Sequence, residues 1–311
     1  MKNLCSICPN QCNIDRSIFS GRCQVTEDFK IAKYGLHPYE EPPISYKNGS
    51  GTIFFYGCTL GCTFCQNYPL SHPLQAKKIA QLKEKKEYTA ALHAYYKNYS
   101  IADCIAIMKE LENNGAENIN LVTASHYVPK LVEVFQKYRP NIPVVYNTHS
   151  YEKLEILKTL DRYIDIYLPD LKFFDAKIAQ RYTGKANYFA YAKKVIQFMT
   201  QRKNRFENGK MLSGCIVRHL ILPLCTQDSI HLIDWFASLK SEAYLSIMAQ
   251  YTPFGEIENF EELKRPITKR EYQKVVHYVE SLALKNVYLQ EQAAADRIFI
   301  PNFTKNKREL F

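Results

Sequence analysis

The chain of 311 residues is 46% hydrophobic, so it is long enough and apolar enough for one large α/β domain or two ordinary ones. No apolar run reaches the ~18 residues that a membrane-spanning helix needs, and polar residues follow the first methionine too early for a signal peptide. We therefore expect a cytoplasmic protein without a membrane partner. Lys and Arg outnumber Asp and Glu by 41 to 31, but this excess is diffuse and indicates an acidic partner only weakly.

Short β-rich runs alternate with stretches of helical length from about residue 52 onward. The predicted strands are rich in β-branched and aromatic residues and lie at Thr52–Tyr56, Ile119–Thr123, Pro143–Asn147, Tyr163–Leu168, Cys215–Leu222, Tyr244–Tyr251 and Val287–Gln290. The predicted helices between them have a helical period and lie at Ile101–Asn114, Pro129–Tyr138, Tyr151–Leu160, Ala190–Thr200, Ile230–Leu239 and Lys269–Ser281.

Strands that are separated by helices need parallel, right-handed crossovers. The pattern therefore predicts an α/β fold, a partial or complete (β/α) barrel, with an open doubly wound sheet as the alternative. The predicted organisation is an N-terminal cysteine-rich segment over residues 1–48, the barrel over 49–291 and a basic C-terminal tail over 292–311. In such a barrel the working residues gather at the carboxyl ends of the strands, so residues just after each strand are the candidate site.

Residues 75–100 form an additional segment with several lysines and tyrosines. A packed amphipathic helix is the favoured interpretation of this segment, and a docking surface for a partner is the alternative.

Three cysteines, Cys58, Cys62 and Cys65, lie on one short loop directly after the first predicted strand. In a reducing compartment clustered cysteines more often hold metal than form disulfides. A structural zinc site uses four closed ligands, whereas three protein ligands leave a position open for a small molecule. Three thiolates can cap three irons of a [4Fe–4S] cluster and leave the fourth iron free. A zinc site completed by a distant cysteine or histidine is the alternative.

The C-x3-C-x2-C spacing, with Phe64 just before the last cysteine and a strand just before the loop, resembles the cluster motif of the radical S-adenosylmethionine (SAM) enzymes. The resemblance implies that the open iron of a [4Fe–4S] cluster binds the amino and carboxylate groups of SAM. One electron then cleaves the sulfonium and releases a 5′-deoxyadenosyl radical, which abstracts hydrogen from a substrate. An oxidoreductase of this kind needs an external electron donor such as flavodoxin or ferredoxin.

Within that superfamily the chain looks most like the pyruvate formate-lyase activating enzymes, especially a branch that also opens with a cysteine-rich segment. The matching stretches follow one another in the same order and are Glu41–Ser45, Gly51–Phe55, Cys65–Tyr68, Asn118–Thr123, Tyr167–Lys172, Arg218–Pro223 and Met248–Tyr251. This resemblance implies activation of a glycyl-radical enzyme, or modification of another protein, a peptide or a small molecule.

The resemblance also implies a set of residues that contact SAM. Apart from the loop aromatic and Arg218, which lies within a strand, these residues follow or end the predicted strands; the set is Phe64, Ser125, Asn147, Thr148, Asp170, Lys172 and Arg218. The relatives hold the methionyl amine with a Gly-Gly-Glu turn, where this chain has Thr123-Ala124-Ser125-His126, so Ser125 or main-chain carbonyls are the candidate acceptors. A charged Arg218 within a barrel strand is costly to bury unless it faces a ligand or an ion partner. Asp170 and Lys172 are expected beside the SAM carboxylate.

A second cysteine set, Cys5, Cys8, Cys12 and Cys23, precedes the barrel. Four thiols in a segment too small for its own core indicate folding around a metal. The spacing fits structural zinc or a fully ligated iron–sulfur cluster that passes electrons, and we favour iron–sulfur because the chain already acquires one cluster. The remaining alternative is four reduced thiols in a surface arm.

The other three cysteines, Cys104, Cys215 and Cys225, lie in apolar settings and are expected to be structural. A different class of function stays open, in which both cysteine sets bind zinc in a non-catalytic basic module that contacts nucleic acid. The sequence disfavours a nucleic-acid partner, because it has neither an aromatic-flanked basic repeat nor a helix-turn-helix pattern.

Overall fold

A computed structural model describes residues 4–75 and 96–290. The central feature is a single sheet of nine strands, whose neighbours follow the order β1-β2-β3-β4-β5-β7-β8-β9, with β6 paired only to β7. The strands are β1 (Ile31–His37), β2 (Ser50–Phe55), β3 (Ile119–Val122), β4 (Val144–Thr148), β5 (Ile166–Pro169), β6 (Arg205–Glu207), β7 (Lys210–Leu220), β8 (Tyr244–Met248) and β9 (Val287–Leu289).

The sheet is parallel over most of its width. β2, β3, β4, β5, β7, β8 and β9 run parallel to their neighbours, whereas β1 is antiparallel to β2 and β6 is antiparallel to β7. β1 and β9 are the two ends of the strand order, so among the described residues the sheet is open and the barrel is partial. The predicted α/β barrel is therefore confirmed in its partial form.

The helices connect successive strands and cover the sheet. They are α1 (Pro42–Ser45), α2 (Tyr68–Ser71), α3 (Ile101–Asn113), α4 (Val128–Lys137), α5 (Leu154–Leu160), α6 (Ala176–Thr183), α7 (Tyr188–Met199), α8 (Thr226–Ser238) and α9 (Lys269–Ser281), with short 3₁₀ turns at Pro73–Gln75, Ser125–Tyr127, Asp161–Tyr163 and Glu261–Lys264. No helix in the part of the chain that the structure describes is long and apolar enough to cross a membrane.

Local sequence explains where several helices begin and end. Capping boxes open α3, where Ser100 pairs with Asp103, and α9, where Thr268 pairs with Glu271. Gly184 ends α6 in the left-handed conformation, with φ of +69°, which costs glycine little because it has no Cβ.

The core lies between the sheet and its helices. Every residue of β2, β3, β4 and β5 is buried, as expected for parallel strands that are covered on both faces. Cys104 and Cys215 are fully buried in this core, and Cys225 is nearly so, as the sequence predicts.

The N-terminal segment contributes a strand to the sheet. β1 lies within residues 1–48 and pairs with β2 along six of its seven residues, so the N-terminal segment supplies an edge strand of the sheet. The additional segment at residues 75–100, predicted to be a packed amphipathic helix or a docking surface, falls mainly on residues 76–95, outside the described residues. The basic tail over 292–311 also lies outside them.

Candidate active site

A cavity of about 740 Å³ opens at the carboxyl edge of the parallel strands. Its volume lies in the range of small-molecule and cofactor sites. The walls come from residues that end or follow β2, β3, β4, β5, β7, β8 and β9, so the strand-end rule locates the site. Eight predicted residues and the loop aromatic line it together: Cys58, Cys62, Cys65, Phe64, Asn147, Thr148, Asp170, Lys172 and Arg218.

The three-cysteine loop, residues 57–65, is held firmly against the rest of the protein. The Thr63 amide donates to the carbonyl of Tyr182 at 3.0 Å, and the Thr63 carbonyl accepts from the amide of Glu256 at 2.8 Å. Phe64 is buried and meets Phe173, Tyr182 and Tyr251 edge-on, with ring centroids 6.0–6.2 Å apart. Phe64, the aromatic residue before the last cysteine, therefore anchors the loop by its ring contacts and also lines the cavity.

The chemistry of the three thiols fits an iron–sulfur cluster. All three line one cavity, and burial raises the pKa of Cys58 to about 12 and raises the pKa values of Cys62 and Cys65 as well. Buried thiolates need a compensating cation, which a bound cluster supplies. Among residues 4–75 and 96–290 no three His, Cys, Asp or Glu side chains are grouped as the ligands of one metal ion. A cluster instead takes each thiolate on a separate iron.

Arg218 is the centre of a buried ionic network that also lines the cavity. Its Nε donates to Asp170 Oδ1 at 2.9 Å, its Nη1 to Glu40 Oε1 at 2.9 Å and its Nη2 to Asn147 Oδ1 at 2.6 Å. Burial raises the pKa of the Asp170 carboxyl, but the charges of Arg218 and Lys172 outweigh it and keep that pKa below its usual range. Asn147 Oδ1 and Asp170 Oδ1 thus both accept hydrogen bonds from the guanidinium, while Asp170 Oδ2 pairs with Lys172.

Lys172 differs from Arg218 in how much of its bonding capacity the protein uses. Its ammonium contacts Asp170 Oδ2 at 2.8 Å and lies within electrostatic range of Cys62. An ammonium has three donors, and a single ion pair uses one of them. Lys172 is therefore the residue of this network that is best placed to pair with an anionic group in the cavity.

The cavity wall also contains residues that the sequence analysis did not assign. Glu40 accepts from Asn147 Nδ2 at 3.0 Å and from Asn120 Nδ2 at 3.2 Å, besides its ion pair with Arg218. Glu41 accepts from the Ser246 hydroxyl at 2.8 Å, and burial raises its pKa to about 7. The only sequence signal was indirect: a buried Arg218 needs an acidic partner, and Glu41 stands at the start of a matching stretch.

Ser125 does not line the cavity. It is buried beneath His149, whose Nε2 lies 3.3 Å from the Ser125 hydroxyl and 2.9 Å from that of Thr59. The Tyr151 amide donates to His149 Nδ1 at 3.0 Å, so Nε2 carries the hydrogen of the neutral ring. Thr123, with φ of +58°, lines the cavity at the end of β3 instead.

Three neighbouring residues face away from the cavity. His126 is buried with Nε2 2.9 Å from the carbonyl of Tyr56. His219 lies on the opposite face of β7 from Arg218, with Nδ1 2.7 Å from the Leu171 carbonyl and Nε2 2.9 Å from the Ser229 hydroxyl. Tyr251 is buried and donates to the Leu263 carbonyl at 2.6 Å.

A family model described as the radical SAM superfamily matches residues 52–214, which is more than half of the 311-residue chain. The chain therefore belongs to the radical SAM superfamily, a class of enzymes that generally bind a [4Fe–4S] cluster and SAM. The superfamily predicted from the cysteine spacing is thereby confirmed. An uncharacterised protein of Methanocaldococcus jannaschii is 25% identical over 290 residues, which cover 91% of this chain and 76% of that protein.

The chain also matches solved structures at low sequence identity. Streptococcus suis SuiB bound to its precursor peptide SuiA matches with a TM-score of 0.45 and 14% identity over 76% of this chain. The chain spans about half the length of SuiB, since 47% of that chain is covered. A domain of pyruvate-formate lyase-activating enzyme from Bacteroides vulgatus matches with a TM-score of 0.38 and 13% identity, over 53% of this chain and 89% of that one.

Proposed function

We propose that Cys58, Cys62 and Cys65 hold a [4Fe–4S] cluster with one open iron, and that the protein cleaves SAM reductively for hydrogen abstraction. When bound and reduced, such a cluster supplies the electron that splits SAM into methionine and a 5′-deoxyadenosyl radical. One observation carries the proposal: three thiols on one loop share a cavity of about 740 Å³ with the charged network around Arg218.

The chain's own residues would orient SAM in this cavity. Lys172 would pair with the methionyl carboxylate, because its ammonium lies in the cavity wall within electrostatic range of Cys62. Thr123 offers its hydroxyl and carbonyl to the methionyl ammonium in place of the missing Gly-Gly-Glu turn. Arg218 would act as a positioning residue, since its three nitrogens already bind Asp170, Glu40 and Asn147.

The substrate would be a glycine residue of a glycyl-radical protein, another peptide or a small molecule. Three glutamines at the cavity support a peptide: Gln66 Nε2 donates to the Gln250 carbonyl at 3.2 Å, and Gln290 Nε2 donates to Gln250 Oε1 at 3.0 Å. Side-chain amides carry both donors and acceptors, as a peptide group requires. Flavodoxin or ferredoxin would deliver the electron.

The test is anaerobic reconstitution with iron and sulfide, followed by reduction in the presence of SAM and measurement of 5′-deoxyadenosine and methionine. We expect both products from the wild type and neither from Cys62→Ala. Cys104→Ala is the matched control, because this thiol is also buried but lies in the core outside the cavity. An intact cluster without SAM cleavage would contradict the proposal.

Two further readouts separate the alternatives. Zinc in place of iron would favour the nucleic-acid-binding module. A peptide that carries Cα-deuterated glycine should transfer deuterium to 5′-deoxyadenosine if glycine is the site of abstraction, and a peptide deuterated elsewhere should not.

A further inference from the structure

We infer that Cys5, Cys8, Cys12 and Cys23 bind a second iron–sulfur cluster, which passes electrons to the three-cysteine loop. We call these four residues the N-terminal cysteine site. The electron route rests on the proposed function, whereas the binding of the second cluster stands on the contacts described next.

The four cysteines converge, although the first and the last are eighteen positions apart in the chain. The Cys5 amide donates to the Ile14 carbonyl at 2.8 Å, and the Asn13 amide donates to the Cys5 carbonyl at 2.9 Å, which folds the segment back on itself. The position of a β-carbon on Gly21 is 3.5 Å from the sulfur of Cys12 and 3.5 Å from that of Cys23. The electrostatic neighbours of Cys23 include both Cys5 and Cys12, and those of Cys8 include Cys12 and Cys23.

Arg16 supplies an independent indication of a negatively charged group at this site. Its side chain is 5% exposed, and its terminal nitrogens donate to the carbonyls of His126 at 2.8 Å and Thr26 at 2.6 Å. Its Nε is buried without a hydrogen-bond partner among the described residues, and Cys5 and Cys23 lie within its electrostatic range. A buried guanidinium is costly without a compensating anion. Four thiolates around a dipositive cluster carry a net charge of −2, which would compensate the Arg16 guanidinium.

The N-terminal cysteine site is joined directly to the three-cysteine loop. The Cys58 amide donates to the Cys23 carbonyl at 3.2 Å. Asn10 Nδ2 donates to the Thr59 carbonyl at 2.7 Å and lies 3.6 Å from the sulfur of Cys8. One backbone hydrogen bond therefore joins Cys23 of the N-terminal cysteine site to Cys58 of the three-cysteine loop, and Asn10 bridges Cys8 and Thr59.

This juxtaposition favours iron–sulfur over zinc, because Zn²⁺ is redox-inactive and could not pass an electron to the adjacent three-cysteine loop. Cys5 and Cys12 are half-buried and lie toward the surface, whereas Cys8 and Cys23 are buried. An external low-potential protein would lose one electron at the outer side, and the group held by Cys58, Cys62 and Cys65 would gain it. No bond forms and no proton moves at the N-terminal cysteine site.

Metal content tests the inference directly. Anaerobically reconstituted wild type should contain about eight iron and about eight sulfide per chain, the amounts of two [4Fe–4S] clusters. Cys5→Ala/Cys12→Ala and Cys58→Ala/Cys62→Ala/Cys65→Ala should each lose about half of this iron, with different clusters remaining in their electron paramagnetic resonance spectra. Cys104→Ala should lose none. Cys12→Ser is the fallback variant if the double alanine variant fails to fold.

Other metal contents would overturn the inference. About four irons in the wild type, with or without one zinc, would overturn the inference, as would iron that is unchanged in both N-terminal variants. If SAM is still cleaved in that case, the proposed function stands and only the second cluster is wrong. If two clusters bind but SAM is not cleaved, the proposed function is wrong and the second cluster stands.

The electron route has its own test. Cys5→Ala/Cys12→Ala should lose SAM cleavage driven by reduced flavodoxin but keep cleavage driven by dithionite, a small reductant that reaches the cavity on its own. Equal activity of the variant and the wild type with reduced flavodoxin would overturn the route, as would loss of cleavage with both reductants.

Discussion

Replacing Arg218 by methionine should destabilise the protein, because it leaves two buried carboxylates without their shared cation. The side chains of Arg218 and Glu40 are only 11% and 12% exposed, and that of Asp170 is 22% exposed, so solvent screens their interactions little. Removing one partner of such a buried pair costs about 3–5 kcal/mol. Asp170 keeps Lys172 at 2.8 Å and Glu40 keeps two asparagine donors, so we expect about 3 kcal/mol, the lower end of this range.

The assay is urea unfolding of the anaerobic, reconstituted protein. Arg218→Met/Glu40→Gln should recover part of the loss, because the second change removes a stranded charge, and we expect a coupling of about 1–3 kcal/mol in the double-mutant cycle. Arg181→Met is the matched control: Arg181 also makes a two-point contact with a glutamate, Glu262, but its side chain is 50% exposed. Equal losses in Arg218→Met and Arg181→Met, or strict additivity in the cycle, would refute the reasoning.

Three further predictions concern the cavity, pH and the backbone. Lys172→Met should weaken SAM binding about 10- to 100-fold by removing a charge-assisted hydrogen bond, whereas exposed Lys177→Met should not, as equilibrium binding to the reconstituted protein would show. Burial raises the pKa of Glu152 from 4.5 to about 7, so its contribution to stability is complete below pH 4.5 and is lost as the pH rises through 7. Glu152→Gln should therefore flatten the fall in urea midpoint between about pH 5 and about pH 8, and an unchanged slope would contradict this. Gly57→Ala should lower the free energy of unfolding clearly more than Gly184→Ala in the same assay. Both glycines have positive φ, but only at Gly57 would the new methyl lie 2.5 Å from a carbonyl oxygen. Equal losses of stability would contradict this close approach.

The regular elements of the fold were largely predictable because their patterns are local. The helix predicted at Lys269–Ser281 has those bounds in the structure, since a capping box defines its start. The helix predicted from Ile230 begins one turn earlier, at Thr226, because polar residues of its first turn do not show the apolar period. β1 was not predicted, because Lys33 is 1% exposed in the middle of it and a lysine normally indicates solvent.

The candidate site was predictable in position but not in its internal contacts. The strand-end rule and the cysteine spacing locate most of the cavity wall, because both depend on residues close in sequence. Glu40 and Arg218 are 178 positions apart, so no spacing in the chain links them. Ser125, one of the candidate acceptors for the methionyl amine, contacts His149 and does not line the cavity, whereas Thr123, with its positive φ, does. A single backbone torsion of this kind is not visible in the sequence.

The antiparallel strand β1 has a consequence for anyone who wishes to prepare the catalytic part of this chain alone. Its pairing with β2 extends from Ile31 opposite Phe55 to His37 opposite Ser50. A recombinant fragment that started at residue 49 would expose the outer backbone donors and acceptors of β2, a strand whose residues are all buried in the intact chain. Exposed strand edges of this kind pair with other chains. We expect aggregation of that fragment, and a soluble product only from fragments that retain the whole hairpin.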